Sequence, residues 1–311
     1  MKKQDLAKQL TSPSKNSRLE KFGKTITFLC LILIVFIVAM ILIFVAQKGL
    51  STFFVNGVNI FDFLFGKNWQ PTVKDAHGNY IMGALPMITG SFIVTILSAL
   101  IATPFAIGAA IFMTEISPKR GARLLQPTIE LLTGIPSVVY GFIGLQVVVP
   151  FVRTLFGGTG FGILSGVFVL FVMILPTVTF MTTDSLRSVP RHYREASLAM
   201  GATRWQTIWR VVLRAAKPGI FTAVVFGMAR AFGEALAIQM VVGNSPVMPT
   251  SLITPASTLT SVLTMGIGNT VMGTVQNNVL WSLALVLLIM SLAFNMLMKF
   301  ITREKKVNYE R

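Results

Sequence analysis

Of the 311 residues, 53% are hydrophobic and only 12% are charged, with a mean hydropathy of +0.72. An average soluble domain carries about 25% charged residues, so this composition excludes an ordinary soluble surface as well as a disordered chain. Cys30 is the single cysteine and His77 and His192 are the only histidines, which excludes a disulfide scaffold and a histidine-based metal site. The chain reads as a polytopic membrane protein.

A hydrocarbon core about 30 Å thick needs about 20 apolar residues in helical form. Residues 1–24 read as a basic tail and Thr25–Ala46 as the first spanning helix. Its apolar run exceeds the roughly 7–15 residues of a signal peptide, so it is expected to stay as an anchor. Gly23-Lys24-Thr25 matches the end of a phosphate-binding P-loop, but Arg18 stands where the first glycine belongs, so no nucleotide site is expected. After a loop over residues 47–85, five more spans fall at about Pro86–Met113, Ile129–Val152, Phe161–Thr183, Pro218–Val242 and Val279–Ile301. They form a five-helix core over 86–301, followed by a tail at 302–311. The uncharged stretch Ser251–Val275 is rich in Ser, Thr, Gly and Asn and reads as a loop with short helical or re-entrant pieces. The fold class is all-α, with six transmembrane helices.

The basic residues orient these spans. Seven Lys and Arg precede Thr25, three (Lys119, Arg120, Arg123) join spans two and three, seven join spans four and five, and five lie at the C-terminal end from Lys299 on. Only Lys48, Lys67, Lys74 and Arg153 fall on the other side. The positive-inside rule therefore puts both termini and the two basic loops in the cytoplasm. The net charge of +16 is accounted for by orientation, with no nucleic-acid partner required.

Within the third span, Gly134-Ile-Pro136 reads as a kink or a hinge, a possible gate element. The loop 184–217 is built rather than merely connecting. Ser188 and Pro190 suit a helix start, the helix runs to about Met200, and Gly201 ends it. Thr203 with Gln206 has the spacing of a capping box opening a second helix. In the fifth span, Arg230 and Glu234 are four residues apart, hence on one face of a continuous helix. A charge near the bilayer centre costs at least about 2.5 kcal/mol. The pair reads either as a structural ion pair or as a positive charge on the path of an oxyanion, with Glu234 orienting Arg230; guanidinium matches phosphate oxygens two at a time. Gln239, Asn244 and Ser245 follow towards the outside, where they read equally as donors for an outer gate or as ordinary helix-end hydrogen-bonding groups.

Glu195-Ala196-Ser197, then Gly201, then Val211-Val212-Leu213 resembles the EAA loop of ABC-importer permeases. Ser197 replaces the second alanine of that pattern, Val211 its isoleucine, and Arg214 stands at its proline. The resemblance implies a coupling helix that docks on a separate ATPase, with Arg191, Arg194, Glu195, Ala196, Ser197 and Gly201 as its coupling residues. Gly83–Ser91, Glu130–Gly141 and Arg230-Ala-Phe-Gly-Glu-Ala235 resemble the phosphate-specific transporter permeases, and the long loop with Trp69-Gln-Pro71 is closer to the PstC-type subunit than to the PstA-type. By this resemblance the fold is that of a type I, MetI-like permease, and Arg230 and Glu234 line the translocation pathway. The implied partners are a homologous PstA-like permease, a PstB-like ATPase dimer carrying ATP and magnesium, a PstS-like phosphate-binding protein, and membrane lipid. The chain itself would hold no cofactor and catalyse nothing, in the cytoplasmic membrane of a bacterium. Rival readings are an ABC permease for molybdate, sulfate or an amino acid, an ion-driven carrier, and a membrane scaffold. A carrier is expected to show internal repeats, which this sequence lacks.

Overall fold

The computed structural model describes residues 15–74, 78 and 80–303. The basic residues expected in the tails before Lys15 and after Arg303, and His77, lie outside the described residues. The chain divides into two units, one ending at Lys48 and one beginning at Gly49. Among the described residues, six helices are long and apolar enough to cross a membrane.

Helix α1 (Lys15–Phe54) contributes all of its first apolar stretch to the first unit. Phe28, Leu29, Ile32, Phe36 and Ile41 are exposed on every face, which suits a helix solvated by lipid all round. In the second unit the end of α1 meets α13 (Val275–Arg303). Ser282 Oγ donates to the Gly49 carbonyl at 2.6 Å and lies 2.6 Å from Thr52 Oγ1. A Cβ on Gly49 would sit 2.8 Å from the Trp281 carbonyl, so the close approach of the two backbones requires glycine. Helix α2 (Ile60–Phe65) follows, capped by Asn59, and then an antiparallel hairpin of β1 (Trp69–Lys74) and β2 (Tyr80–Met82). This hairpin is a small exception to the expected all-helical class.

The core is made by α3 (Leu85–Ile111), α7 (Ile163–Arg187) and α10 (Leu213–Phe232). Val94, Ala102, Val167, Leu170, Ile174 and Ala231 are buried together there. Small residues let these helices approach: Gly227 on α10 faces Val178 and Gly166 faces Val94, the packing mode expected where lipid supplies no hydrophobic drive. A wider π-helical turn, Phe112–Ile116, ends α3. After a single turn at Pro118–Arg120 and a second π-helical turn, the chain enters α4 (Gln126–Gly134).

Two expected spans are interrupted. The third does not run from Ile129; it starts at Ser137, as α5 (Ser137–Ile143), continuing through a π-helical turn into α6 (Val149–Phe156). Ile135 and Pro136 are extended, with ψ of 128° and 142°, because a residue before proline is driven out of the α region. The fifth span does not continue to Val242. It begins at Arg204, closes at Phe232, and α11 (Leu236–Val241) starts afresh after Gly233-Glu234-Ala235. The stretch 251–275 contains α12 (Leu259–Ile267), opened by a capping box of Thr258 and Ser261.

Gly90 on α3 lies against the chain entering α12, where an added Cβ would fall on the Ser257 carbonyl oxygen. Gly90→Ala is expected to destabilise the second unit by about 1–3 kcal/mol, the usual cost of overpacking. A drop of several degrees in the apparent Tm of the detergent-purified chain, followed by circular dichroism, checks this.

Candidate functional site

The elbow after α7 is assembled from local rules. Ser188 does not cap the next helix as expected; it closes α7, its N–H donating to Asp184 and its Oγ to the Ser185 carbonyl. Pro190, with ψ of 142°, is the residue from which α8 (Arg191–Ala199) starts. Gly201 adopts φ +80°. Its N–H donates to Leu198 and that of Ala202 to Ser197, the paired bonds of a Schellman turn. Thr203 and Gln206 then exchange both capping-box hydrogen bonds, at 3.2 and 2.9 Å, and open α9 (Arg204–Thr207). A π-helical turn, Ile208–Val212, leads into α10. Beneath the elbow, Ala110, Ile111, Leu186, Val189, Ile208 and Val212 form an apolar cluster.

The residues expected to couple divide into two groups. Arg191, Glu195, Ala196 and Gly201 are exposed, together with Leu198 and Met200, the last at 87%. Arg194 and Ser197 turn inward. Arg194 Nη2 lies 2.7 Å from Glu115 Oε1, Nε is 3.2 Å from each carboxylate oxygen, and Nη1 and Nη2 donate to the Val189 and Leu186 carbonyls. The Ser197 hydroxyl meets that of buried Thr207 at 2.9 Å. The departure from alanine at 197 thus adds a bond between the two limbs of the elbow. Sequence reasoning missed Glu115, which is 79 residues from Arg194; its one signal was a lone acid at the head of a connection otherwise basic, with Lys119, Arg120 and Arg123.

A second polar locus lies where α7, α10, α11 and α12 meet. Arg230 Nη1 donates to Thr177 Oγ1 on α7 at 2.7 Å. The expected Arg230–Glu234 pair is not formed. The helix ends between them, and Glu234 Oε1 instead accepts the Ala237 N–H at 3.1 Å, supplying α11 with an acceptor for an otherwise orphan donor. Among the described residues the one ion pair is Arg194–Glu115. Thr260 Oγ1 donates to the Glu234 carbonyl, and Ser91 Oγ accepts the Leu259 N–H. Ser91, Thr95, Glu234, Thr258 and Thr260 line the polar side of a small cavity of about 10 Å³. Thr177 and the hydroxyl set around Glu234 were not singled out by the sequence, because threonines are common throughout these spans.

At Gly134-Ile-Pro136 the helix is broken outright. Pro136 has no N–H for the Leu132 carbonyl four residues back; Ile135 N–H donates to that carbonyl at 3.4 Å and Tyr140 Oη at 2.6 Å. Asn244 has φ +52°, the one positive value outside glycine among the described residues. Its Nδ2 donates to the Gln239 carbonyl, while its Oδ1 is buried without a partner among the described residues. No group of three or more His, Cys, Asp or Glu side chains that could hold a metal ion comes together among the described residues.

Comparison with known proteins places these features in context. Residues 102–307 match the model of the binding-protein-dependent transport system inner membrane component family. The chain is 51% identical over 304 residues, 97% of each chain, to a probable ABC transporter permease protein, YqgH, of Bacillus subtilis (strain 168). It is 34% identical over 268 residues to the phosphate transport system permease protein PstC of Mesorhizobium japonicum, covering 78% of this chain and 80% of the relative. Among solved structures, the fold is similar to a chain of a bacterial alginate ABC transporter in complex with a periplasmic protein. That match has a TM-score of 0.61 at 15% identity and covers 93% of this chain and 97% of the other.

Removing one member of the Ser197–Thr207 hydroxyl pair should cost about 0.5–1.5 kcal/mol. In a double-mutant cycle, Ser197→Ala and Thr207→Ala together are expected to cost less than the sum of the single changes, measured by thermal unfolding.

Proposed function

The chain belongs to the binding-protein-dependent transport system inner membrane component family, and we propose that it is the PstC-type permease subunit of an ATP-driven phosphate importer. As a member of that family it is a multi-pass membrane protein and a non-catalytic ABC-importer permease, working with an ATPase and a substrate-binding protein. The finer assignment to phosphate is supported by the 34%-identical relative named as a phosphate transport permease and, above all, by the state of Arg230.

Arg230 is half-buried and held by a neutral hydroxyl. Among the described residues no carboxylate compensates its charge. A guanidinium in that position keeps most of its five N–H donors for something else, and an oxyanion satisfies them two at a time. Phosphate passing this point would offset the cost of the buried charge for as long as it stays. Glu234, one turn away, adds negative charge to the same region and limits how tightly the anion is held, which conduction requires. Gly134, Pro136 and Asn244 remain candidates for gating, since the broken third span and the strained Asn244 backbone lie where the helices are interrupted.

In this reading both termini and the elbow face the cytoplasm, as the distribution of basic residues indicates. The exposed face of α8 meets an ATPase pair that carries ATP and magnesium; this chain supplies no cofactor. A homologous PstA-like permease completes the pathway, and a PstS-like phosphate-binding protein delivers cargo to the loops on the opposite side.

Two substitutions test the reading in proteoliposomes containing the purified complex and its binding protein. Arg230→Gln removes charge-assisted hydrogen bonds worth about 1.5–3 kcal/mol, so ATP-dependent phosphate uptake is expected to fall about 10- to 100-fold while the complex still assembles on size exclusion. Uptake at the normal rate in an assembled Arg230→Gln complex overturns the pathway role. Gly201→Val forces a β-branched residue into φ +80°, at a cost of about 1–3 kcal/mol. ATP hydrolysis is expected to continue with transport lost; normal coupling overturns the assignment of the elbow.

A further inference from the structure

We propose that Arg194 and Glu115 form the joint through which force on the elbow enters the membrane core. Arg194 is then a positioning residue and not part of the surface that an ATPase touches. This rests on the reading of the elbow as the coupling element, but not on the identity of the cargo.

The geometry is that of a clamp on three segments. The guanidinium belongs to α8, its carboxylate partner to the π-helical turn that ends α3, and its two carbonyl partners, Leu186 and Val189, to the end of α7 and the strand of chain leaving it. The side chains of Arg194 and Glu115 are 22% and 10% exposed, so water and salt screen the pair weakly, and losing either charge strands the other in a low-dielectric site. Bidentate geometry to the carboxylate fixes direction as well as distance. Arg191, Glu195 and Leu198, by contrast, are exposed on α8 and free to meet a partner.

The joint leads to the buried guanidinium. Thr177, the partner of Arg230, lies on the same helix as Leu186, nine residues away or about 14 Å at 1.5 Å per residue. Pro176 precedes Thr177 inside α7 and removes one helical hydrogen bond there. The segment 177–187 is therefore an intact lever, with the clamp at one end and a compliant point and the Arg230 contact at the other. Pressing on the exposed face of α8 moves this lever together with the end of α3. Ser197–Thr207 carries the second limb of the elbow along.

The test uses the full complex carrying Arg194→Gln, Glu115→Gln, and both. If the joint is real, phosphate moved per ATP hydrolysed falls by at least about fivefold in each single variant, the lower end of ordinary coupling between sites. The double variant is no worse than either single one, and the ATPase remains bound. A second readout needs no cargo: hydrogen exchange over residues 177–187 changes on ATP binding in the unaltered complex, and each variant abolishes that change. Three results overturn the joint. They are an unchanged coupling ratio, losses that multiply in the double variant, and loss of ATPase binding from Arg194→Gln but not from Glu115→Gln. An unaltered complex that shows the ATP-dependent exchange change but moves another anion refutes the phosphate assignment and leaves the joint standing.

Discussion

Much of the polar architecture of the second unit follows from the rule that a backbone polar group in hydrocarbon must find its partner within the protein. At several helix breaks a side chain supplements or replaces the helical bond. Tyr140 Oη serves the Leu132 carbonyl, which Pro136 cannot reach with an N–H and Ile135 N–H meets only at 3.4 Å. The Glu234 carboxylate serves the Ala237 N–H at the start of α11. Thr258 and Ser261 cap α12, and the Ser91 hydroxyl on a different helix accepts the Leu259 N–H. Irregular backbone at breaks of this kind is where polar groups become available to a solute.

Two arginines show the same side chain in opposite settings. All three nitrogens of Arg194 are engaged, by a carboxylate and by the Leu186 and Val189 carbonyls, so it holds structure and has little to offer a ligand. Arg230 has a threonine hydroxyl as its partner, which satisfies one donor and leaves the charge uncompensated. An uncompensated buried charge is costly and marks function more often than stability. The single α7 helix touches both, through Leu186 at its end and Thr177 at its centre, and thereby connects the elbow with the polar locus.

The elbow is also where local and distant interactions agree. Gly201, the Schellman turn and the Thr203–Gln206 box would form from the sequence near them alone. Their position is fixed by the apolar cluster that joins Ile111, Leu186, Ile208 and Val212 from separate parts of the chain. The serine at 197 belongs to both levels, since it contributes to the turn through its carbonyl and to the inter-limb contact through its hydroxyl.

The order and number of the spans, the family resemblance, the glycine-broken elbow and the presence of a charge inside the fifth span were legible in the sequence. The resemblance rests on particular motifs; the other features rest on composition, periodicity or spacing within about 20 residues, the scale on which hydropathy and capping operate. The pairing of charges was not. Four residues of spacing suggested Arg230 with Glu234, whereas the helix ends at Phe232 and the carboxylate turns to cap the next one. The resemblance put Arg194 among the coupling residues, and nothing in the sequence pointed to Glu115, which the fold brings to it across 79 positions. Helical periodicity predicts neighbours only while the helix lasts, and partners from distant segments are chosen by packing, which acts once the chain has folded.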